Sequence, residues 1–323
     1  MTNPWLDIPS PETNLNVRRV DGTSSVEAFW AVDPDSSFLF LVEGLLPDHK
    51  VVMPDLEEIR CAVAPSNNSV STVRLVLKLE DTLDWELFFA LCSDLVRTLS
   101  VTGPERGLSA VAARLAKWRS FLRSGRDRIL SREKIRGLFG ELTLLVDKLA
   151  PLLGWRTAIA AWGGPFGASR DFVFSGKEIE AKAKLAGAGR EVRISSEDQL
   201  APPPGNSTLF LRVVTLAPAG DGIHDGGESL ADLVRRIRKS LEADAGAAEE
   251  FENRLLAAGY ADTIAYEYEV FSVEAEEVFQ VAEGFPRLLP SAIPTGIRHV
   301  AYGLDLGVCE PYRVSGNWIE RVR

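Results

Sequence analysis

Residues 171–184 read Asp-Phe-Val-Phe-Ser-Gly-Lys-Glu-Ile-Glu-Ala-Lys-Ala-Lys, and this stretch decides the fold. Two runs typical of β-strands flank Ser175-Gly176, and a two-residue connection that contains glycine predicts a β-hairpin. With the turn centred there, Asp171 lies opposite Glu180, and Lys182 shares their face because side chains alternate along a strand. A three-residue loop would shift this register.

Two carboxylates and a lysine on one face of a hairpin are suited to binding a divalent cation. Mg²⁺ usually takes one or two carboxylates, with water and substrate phosphate as further ligands. We therefore expect Asp171 and Glu180 to hold Mg²⁺, with Mn²⁺ able to replace it. Lys182 is then placed to orient or deprotonate the attacking water, or to stabilise a phosphate. The alternation Glu178, Glu180, Lys182, Lys184 also fits the solvated face of an edge strand, and this alternative stays open.

Around the hairpin, the sequence predicts an α/β (α+β) protein with an N-terminal β-rich domain and a mixed central sheet flanked by helices. Residues 15–80 are rich in strand-forming residues, and a buried helix is expected over Leu83–Leu99. Gly103-Pro104 then marks a boundary, which gives domains 1–103 and 104–323. Ser229 is expected to cap a helix. The strands expected after Gly154 are 158–162, 171–174, 178–183, 208–215, 266–272, 277–281 and 297–306.

The second domain begins with a basic helical segment over residues 104–150. From Arg106 to Arg136 the chain carries ten basic residues and two acidic ones, whereas the whole chain has a net charge of −10. This contrast favours binding to nucleic-acid phosphates, and the polar face of two surface helices is the alternative. The candidate phosphate-binding residues are Arg119, Arg123, Arg126, Arg128, Arg132 and Arg136.

Composition excludes several classes of protein. The 323 residues are 46% hydrophobic and 25% charged, which is typical of a globular chain. Its three cysteines are far apart and build no disulfide framework, so we expect a reducing, cytoplasmic location. The sequence contains no signal peptide, no apolar run long enough to span a bilayer, and no phosphate-binding P-loop. We therefore expect neither a membrane partner nor a nucleotide cofactor.

The order of these elements resembles the PD-(D/E)XK nuclease superfamily, which includes restriction endonucleases. More narrowly, the chain resembles an uncharacterised bacterial family of PD-(D/E)XK motif proteins. Two departures from the superfamily pattern occur, since Arg170 replaces the proline before the aspartate and Ala183 follows the lysine where a hydroxyl residue is common. The matching stretches are Leu138-Phe-Gly-Glu-Leu142, Trp162-Gly-Gly-Pro165, Arg170-Asp-Phe172, Ile179-Glu-Ala-Lys182, Ile194-Ser-Ser-Glu-Asp-Gln-Leu200, Gly259-Tyr260, Phe285-Pro-Arg-Leu288 and Val300-Ala-Tyr302.

The resemblance implies roles for five residues. Asp171 and Glu180 would be the metal-binding acids, and Lys182 the lysine of the motif. Glu141 would be the acid that many members place on the first core helix; it lies at the edge of an apolar stripe, so a solvent-facing residue is the alternative. Gln199 resembles a glutamine that some members carry after the lysine strand, and a surface amide is its alternative.

The function that the resemblance implies is Mg²⁺-dependent endonucleolytic hydrolysis of DNA phosphodiester bonds. By the same analogy, the protein would act in bacterial restriction or phage defence, together with other subunits. One alternative is a non-catalytic subunit that keeps the fold for DNA binding or assembly. Another is a purely structural interaction protein, which would bind neither metal nor nucleic acid.

Overall fold

The computed structural model describes residues 2–22, 26–45, 51–56, 58–66, 72–81, 84–123, 129–203, 205–219 and 226–320. Contacts within the chain divide it into two compact units. The first contains Met1–Ile129 and Gly259–Ala265, and the second contains Leu130–Ala258 and Tyr266–Arg323. The two units are defined by contacts and do not test which parts of the chain fold independently. The domain boundary expected at Gly103-Pro104 therefore stays a prediction.

The first unit contains a five-stranded antiparallel sheet in the order β1-β2-β3-β5-β4. Its central strand, β3, is buried along most of its length, as expected for a strand with a neighbour on each side. This sheet confirms the β-rich character predicted for residues 15–80. The strands are β1 (Asn16–Arg19), β2 (Glu27–Val32), β3 (Phe38–Leu45), β4 (Ile59–Pro65) and β5 (Thr72–Leu79).

Two helices of the first unit, α1 (Trp85–Val101) and α2 (Gly107–Arg123), are joined by a buried polar contact. The Asp94 carboxylate accepts a hydrogen bond of 2.7 Å from Trp118 Nε1 and pairs with the buried Arg114. Helix α1 confirms the helix expected over Leu83–Leu99, and α2 confirms that the segment after Pro104 begins as a helix. Arg114 is one of the ten basic residues counted above, and its charge is neutralised inside the unit.

The second unit contains a five-stranded mixed sheet in the order β10-β11-β9-β7-β6. Strands β7 and β9 run parallel, and the other neighbouring pairs are antiparallel. A mixed sheet next to a β-rich N-terminal part confirms the predicted fold class. The strands are β6 (Phe172–Phe174), β7 (Lys177–Leu185), β9 (Thr208–Pro218), β10 (Glu228–Ser229) and β11 (Val270–Gln280), while β8 (Glu191–Ile194) and β12 (Tyr302–Asp305) form a separate antiparallel pair.

Helices surround this sheet. The predicted cap of α6 is confirmed, because Ser229 Oγ accepts a hydrogen bond of 3.0 Å from Asp232 N and the Asp232 carboxylate accepts one from Ser229 N. The longest helical stretch is α3, which continues without interruption into a π-helical turn over Leu145–Leu149. The helices are α3 (Arg132–Leu144), α4 (Ala150–Leu153), α5 (Trp155–Ala161), α6 (Leu230–Ser240) and α7 (Ala245–Ala258).

Helix α3 lies unusually close to the sheet at Gly140. A Cβ atom at this position would lie 3.2 Å from Ala183 Cβ on β7 and 3.3 Å from Val214 Cγ2 on β9. The buried Arg212 of β9 donates a hydrogen bond of 2.8 Å to the Gly140 carbonyl, and Glu276 balances its charge at 2.6 Å. The next residue of the helix, Glu141, is thereby held against β7.

Four of the predicted strands differ from those in the structure. Residues 158–162 belong largely to α5. Gly154 (φ 76°) allows the sharp turn between α4 and α5, and Thr157, Ala158, Ala160 and Ala161 then follow a helical course. The strands expected at 266–272 and 277–281 are parts of one strand, β11, whose alternation is broken by a bulge between Val273 and Ala275. Of the strand expected at 297–306, only Tyr302–Asp305 forms.

Candidate active site

The hairpin of β6 and β7 has the predicted register. Phe172 pairs with Ile179 and Phe174 with Lys177, which places Asp171 opposite Glu180 when the ladder is extended by one residue. The connecting residues, Ser175 and Gly176, have φ values of 45° and 73°. Two consecutive left-handed residues are typical of the two-residue turn that matches the twist of a hairpin.

Asp171 is fixed by main-chain contacts on both sides. Its Oδ2 accepts a hydrogen bond of 2.7 Å from Ala181 N on β7. Its carbonyl accepts hydrogen bonds of 2.8 Å from Gly163 N and 3.2 Å from Gly164 N. The aspartate therefore ties the hairpin to the loop that follows α5.

Glu141 lies in the site and is not a solvated helix residue. Its Oε2 accepts a hydrogen bond of 2.6 Å from Trp162 Nε1. A Cβ atom at Gly164 would lie 2.8 Å from Asp171 Oδ1 and 3.2 Å from Glu141 Oε2, so both carboxylates contact the same glycine. Only a residue without a side chain fits between them.

Glu180 is the most deeply buried acid of the group, with 1% of the residue exposed. Its strand, β7, has β6 on one side and β9 on the other, so the alternative of a solvated edge strand is wrong. Glu180 Oε1 lies 2.6 Å from Lys182 Nζ. Oε2 is buried and has no hydrogen-bond partner among the described residues.

Gln199 completes this arrangement from a short 3₁₀ turn, Glu197–Leu200. Its Oε1 accepts hydrogen bonds of 3.1 Å from Lys182 Nζ and 2.7 Å from Ser195 N. The glutamine thus orients the lysine, and its side chain is half-buried rather than a free surface amide. The structure brings together all five residues that the sequence analysis singled out, namely Asp171, Glu180, Lys182, Glu141 and Gln199.

Burial and mutual repulsion make the three carboxylates hard to ionise. Burial, with the neighbouring Asp171 charge, raises the pKa of Glu180 to about 8, although Lys182 opposes the shift. The pKa of Glu141 is raised well above its ordinary value, mainly by burial and then by Asp171. Burial also raises the pKa of Asp171, against the hydrogen bond from Ala181 N. A cation between these groups would favour their ionised forms.

Comparison with protein families matches residues 1–307 to a family described as "Putative PD-(D/E)XK family member, (DUF4420)". The chain belongs to this family. The match includes the sheet of the first unit as well as the hairpin, so the N-terminal part belongs to the family pattern too. Comparisons with curated proteins and with solved structures give no match. None of the described helices is long and apolar enough to cross a membrane.

The carboxylates of Asp171 and Glu180 fit a divalent cation in their chemistry. The unpartnered, buried Oε2 of Glu180 supports this fit, because an ionised oxygen in that position needs a cation or a donor. In the described part of the chain, no group of three or more His, Cys, Asp or Glu residues is arranged to hold a metal ion. An Mg²⁺ site is still compatible with this finding, since Mg²⁺ usually keeps several waters and binds one or two carboxylates. Asp171 and Glu180 are the residues that would hold it.

Arg170, where the PD-(D/E)XK pattern has proline, makes contacts around the candidate site that the sequence did not predict. It is 4% exposed, and its guanidinium donates to the carbonyls of Ser169, Asp198 and Ala201. Its Nε lies 3.2 Å from Oε2 of Glu178, which is also buried. Arg170 therefore connects Asp171, its neighbour in the chain, to the turn that carries Gln199. The signal in the sequence was the arginine itself, which replaces proline directly before Asp171.

Trp162 and Gly164 were missed for a different reason. Both lie in the quoted Trp162-Gly-Gly-Pro165 stretch, but a tryptophan in an apolar setting is usually a core residue. Trp162 is indeed buried, and its indole N–H is also the donor that holds Glu141. The dual role cannot be inferred without knowing which acid lies opposite.

Four of the six candidate phosphate-binding arginines lie on two helices. Arg119 and Arg123 lie on α2 of the first unit, while Arg132 and Arg136 lie on α3 of the second. Arg132 is exposed and pairs with Glu269 at 2.9 Å. Arg126 and Arg128 lie outside the described residues. Binding of nucleic acid by these residues stays a prediction.

Proposed function

We propose that the protein is a metal-dependent nuclease that hydrolyses phosphodiester bonds of DNA with Mg²⁺ as its cofactor. The observation that carries this proposal is the convergence of Asp171, Glu180 and Lys182 on one face of the hairpin, with a buried, unpartnered oxygen on Glu180. Membership of the PD-(D/E)XK family supports it independently.

Each residue has a role that follows from its contacts. Asp171 and Glu180 would hold the metal ion, which acidifies a bound water and offsets negative charge on the reacting phosphate. Lys182 Nζ donates to Gln199 Oε1, so the ammonium group is held in one orientation beside the acids. There it can stabilise the phosphate or guide the attacking water.

Glu141 plays a supporting part in this proposal. Its Oε2 is held by Trp162 and contacts the same glycine as Asp171 Oδ1. Burial, and then the nearby Asp171 charge, raise the pKa of Glu141 well above its ordinary value, which favours the protonated form in the metal-free protein. We infer that it orients water at the metal rather than acting as a first ligand.

A cleavage assay with matched lysine variants tests the proposal. Supercoiled plasmid, linear duplex, single-stranded DNA and RNA are incubated with the protein and Mg²⁺, then with EDTA. Lys182→Met should reduce cleavage at least about 100-fold, the scale of losing one group that stabilises transition-state charge. Lys184→Met is the control, because it removes the same charge from the same strand, and Lys184 Nζ contacts the Ala188 and Gly189 carbonyls rather than the acids of the site.

The assay also separates DNA from RNA and catalysis from binding. Cleavage of RNA alone would change the substrate in the proposal. Retained DNA binding without cleavage of any substrate would instead favour the non-catalytic subunit. The proposal extends to a cytoplasmic role in bacterial restriction or phage defence with protein partners, and restored phage sensitivity in a Lys182→Met strain would support it.

A further inference from the structure

Arg287 is a half-buried arginine whose electrostatic neighbours among the described residues are Tyr302 and Arg170, with no carboxylate. Most arginines of the second unit that are at least half-buried form an ion pair, as Arg170 does with Glu178 and Arg212 with Glu276. In a chain with a net charge of −10, acidic partners are abundant. An unneutralised and partly buried guanidinium therefore indicates a place for an external anion.

This guanidinium lies beside the candidate active site. Arg287 Nη1 donates a hydrogen bond of 3.0 Å to the carbonyl of Leu200. Leu200 directly follows Gln199, whose side chain accepts from Lys182 Nζ. The two cations thus bind adjacent residues of one short turn. The turn itself is held on its other side by Arg170, through the carbonyls of Asp198 and Ala201.

Tyr302 adds a hydroxyl group to the same place. Its strand, β12, pairs with β8 through Ile194, the residue before Ser195, and its hydroxyl oxygen accepts a hydrogen bond of 3.4 Å from Leu288 N. The charges of Arg287 and Lys182 both act on this phenol, against the burial that raises its pKa. The hydroxyl group of Tyr302 therefore lies in the positive field of both cations, at the main chain of the residue that follows Arg287.

The electrostatic surroundings of Arg287 favour the binding of an anion. Burial lowers the pKa of Arg287, and the nearby Arg170 charge lowers it further. The Tyr302 phenol is the acidic group that raises the pKa of Arg287, and this phenol is neutral at pH 7. A phosphate oxygen would supply the missing negative charge, and the planar guanidinium matches its geometry.

We propose that Arg287 and Tyr302 form a second phosphate-binding site, which holds a backbone phosphate of the nucleic-acid substrate next to the one that faces Lys182. The proposal rests on the proposed function for the identity of the ligand. The site fixes the substrate strand beside the reacting bond and leaves the metal acids untouched. Arg287 is thus a substrate-binding residue, with one N–H donated to the Leu200 carbonyl and the rest of the guanidinium facing the phosphate.

The salt dependence of DNA binding tests this proposal. A fluorescent duplex is titrated without metal at 50–200 mM KCl by anisotropy, and log K is plotted against log [salt]. Loss of one phosphate contact reduces the slope by about 0.7–0.9. Arg287→Gln should show this reduction and about tenfold weaker binding, which corresponds to one charge-assisted hydrogen bond. Arg287→Lys should keep the wild-type slope, because it keeps the charge.

Arg298→Gln is the matched control, since Arg298 is exposed and follows eleven residues later. An equal change in slope for Arg287→Gln and Arg298→Gln would overturn the proposal while the nuclease function stands. A role of Arg287 in folding alone would lower the melting temperature of the variant and leave the slope unchanged, which also overturns the proposal.

A second experiment does not depend on nuclease activity. Inorganic phosphate is titrated into ¹⁵N-labelled protein, and the Nε–H signal of Arg287, assigned with Arg287→Lys, is followed by NMR. A shift that saturates supports the anion site even if the protein cleaves no nucleic acid. Absence of a shift, together with a wild-type slope in Arg287→Gln, contradicts it.

Discussion

At the residue scale, the burial of Glu180 in the candidate site reduces the stability of the folded protein. The carboxyl group is almost fully buried, one of its oxygens has no hydrogen-bond partner in the described part of the chain, and its pKa is raised to about 8. An acid whose pKa is higher in the folded state than in the unfolded state destabilises the fold once it ionises. Function and stability are therefore opposed at this position.

Glu180→Gln should stabilise the metal-free protein at high pH. The folded protein holds a proton on Glu180 between the ordinary pKa of 4.5 and about 8, whereas the unfolded chain does not. Stability is therefore lost as the pH rises through this window. In thermal melts without metal, the Tm of the variant should exceed that of wild type by a few degrees at pH 8, and the gap should shrink at pH 5.

Glu191→Gln is the control for this experiment, because Glu191 is exposed on β8. Its melting curve should follow that of wild type at both pH values. A gap between Glu180→Gln and wild type that is the same at pH 5 and pH 8 would contradict the raised pKa of Glu180.

Arg170→Lys should release the turn that carries Gln199. Lysine keeps the positive charge near Glu178 but cannot reach the carbonyls of Asp198 and Ala201 together, so at least one hydrogen bond is lost. The reporter is the Ser195 amide, which donates to Gln199 Oε1. Its hydrogen exchange should accelerate about tenfold, the equivalent of one hydrogen bond.

The Val281 amide provides the internal control, since it bonds to the Leu209 carbonyl away from the turn. Unchanged exchange at Ser195 in Arg170→Lys would show that Arg170 does not position Gln199. Faster exchange at both amides would indicate general loosening of the fold, which also contradicts a specific role.

At the element scale, the hairpin could be predicted and the loop before it could not. The period-two pattern on both sides of Ser175-Gly176 defines strand, turn and register from local sequence alone. Residues 158–162 are apolar and short, and such runs fit a strand or a buried helix equally well. Only packing against the rest of the unit decides for α5, and it thereby places Trp162 next to Glu141.

Gly140 and Gly137 offer a matched test of how α3 approaches the sheet. A side chain at Gly140 meets Ala183 and Val214 at 3.2 and 3.3 Å, whereas Gly137 has open space around its Cα. Gly140→Val should therefore lower the free energy of unfolding by about 1–3 kcal/mol through overpacking. Gly137→Val should stay within about 0.5 kcal/mol of wild type.

Urea denaturation measures both values. Gly140→Val should also weaken Mn²⁺ binding, because Glu141 moves with the helix. Equal stability of the two variants would mean that α3 does not lie this close to β7 and β9.

At the scale of the whole molecule, charge is unevenly distributed. The chain has 46 acidic and 36 basic residues, yet the segment from Arg106 to Arg136 is strongly basic. Two of these cations already have an acidic partner, since Arg114 is paired with Asp94 in the interior and Arg132 with Glu269 at the surface. The sequence alone could not make this distinction, because both acidic partners are distant in the chain.

Arg119→Gln combined with Arg123→Gln tests the part of this segment on α2. If both side chains contact backbone phosphates, the slope of log K against log [salt] for duplex DNA should fall by about 1.4–1.8. Affinity should fall equally for unrelated sequences, since phosphate contacts carry no sequence information. An unchanged slope would show that α2 does not contact the nucleic acid.

The division of the chain into two units also could not be predicted from the sequence. Gly259–Ala265 returns to the first unit after more than 120 residues in the second, and no local pattern marks this return. The candidate site, in contrast, is built from residues 141–199 on α3, β6, β7 and one short turn. Its members are close in sequence and carry a family motif, so residue types and register were enough to predict them.

The most direct test of the account is calorimetric titration of Mn²⁺ into the purified protein, the double variant Asp171→Asn, Glu180→Gln, and the control Lys184→Met. The account predicts close to one binding event per chain in wild type and in the control, and none in the double variant. Affinity in wild type should rise with pH up to about 8, as Glu180 loses its proton. Equal binding in wild type and the double variant, or no binding in either with duplex DNA present, would contradict a metal site on Asp171 and Glu180.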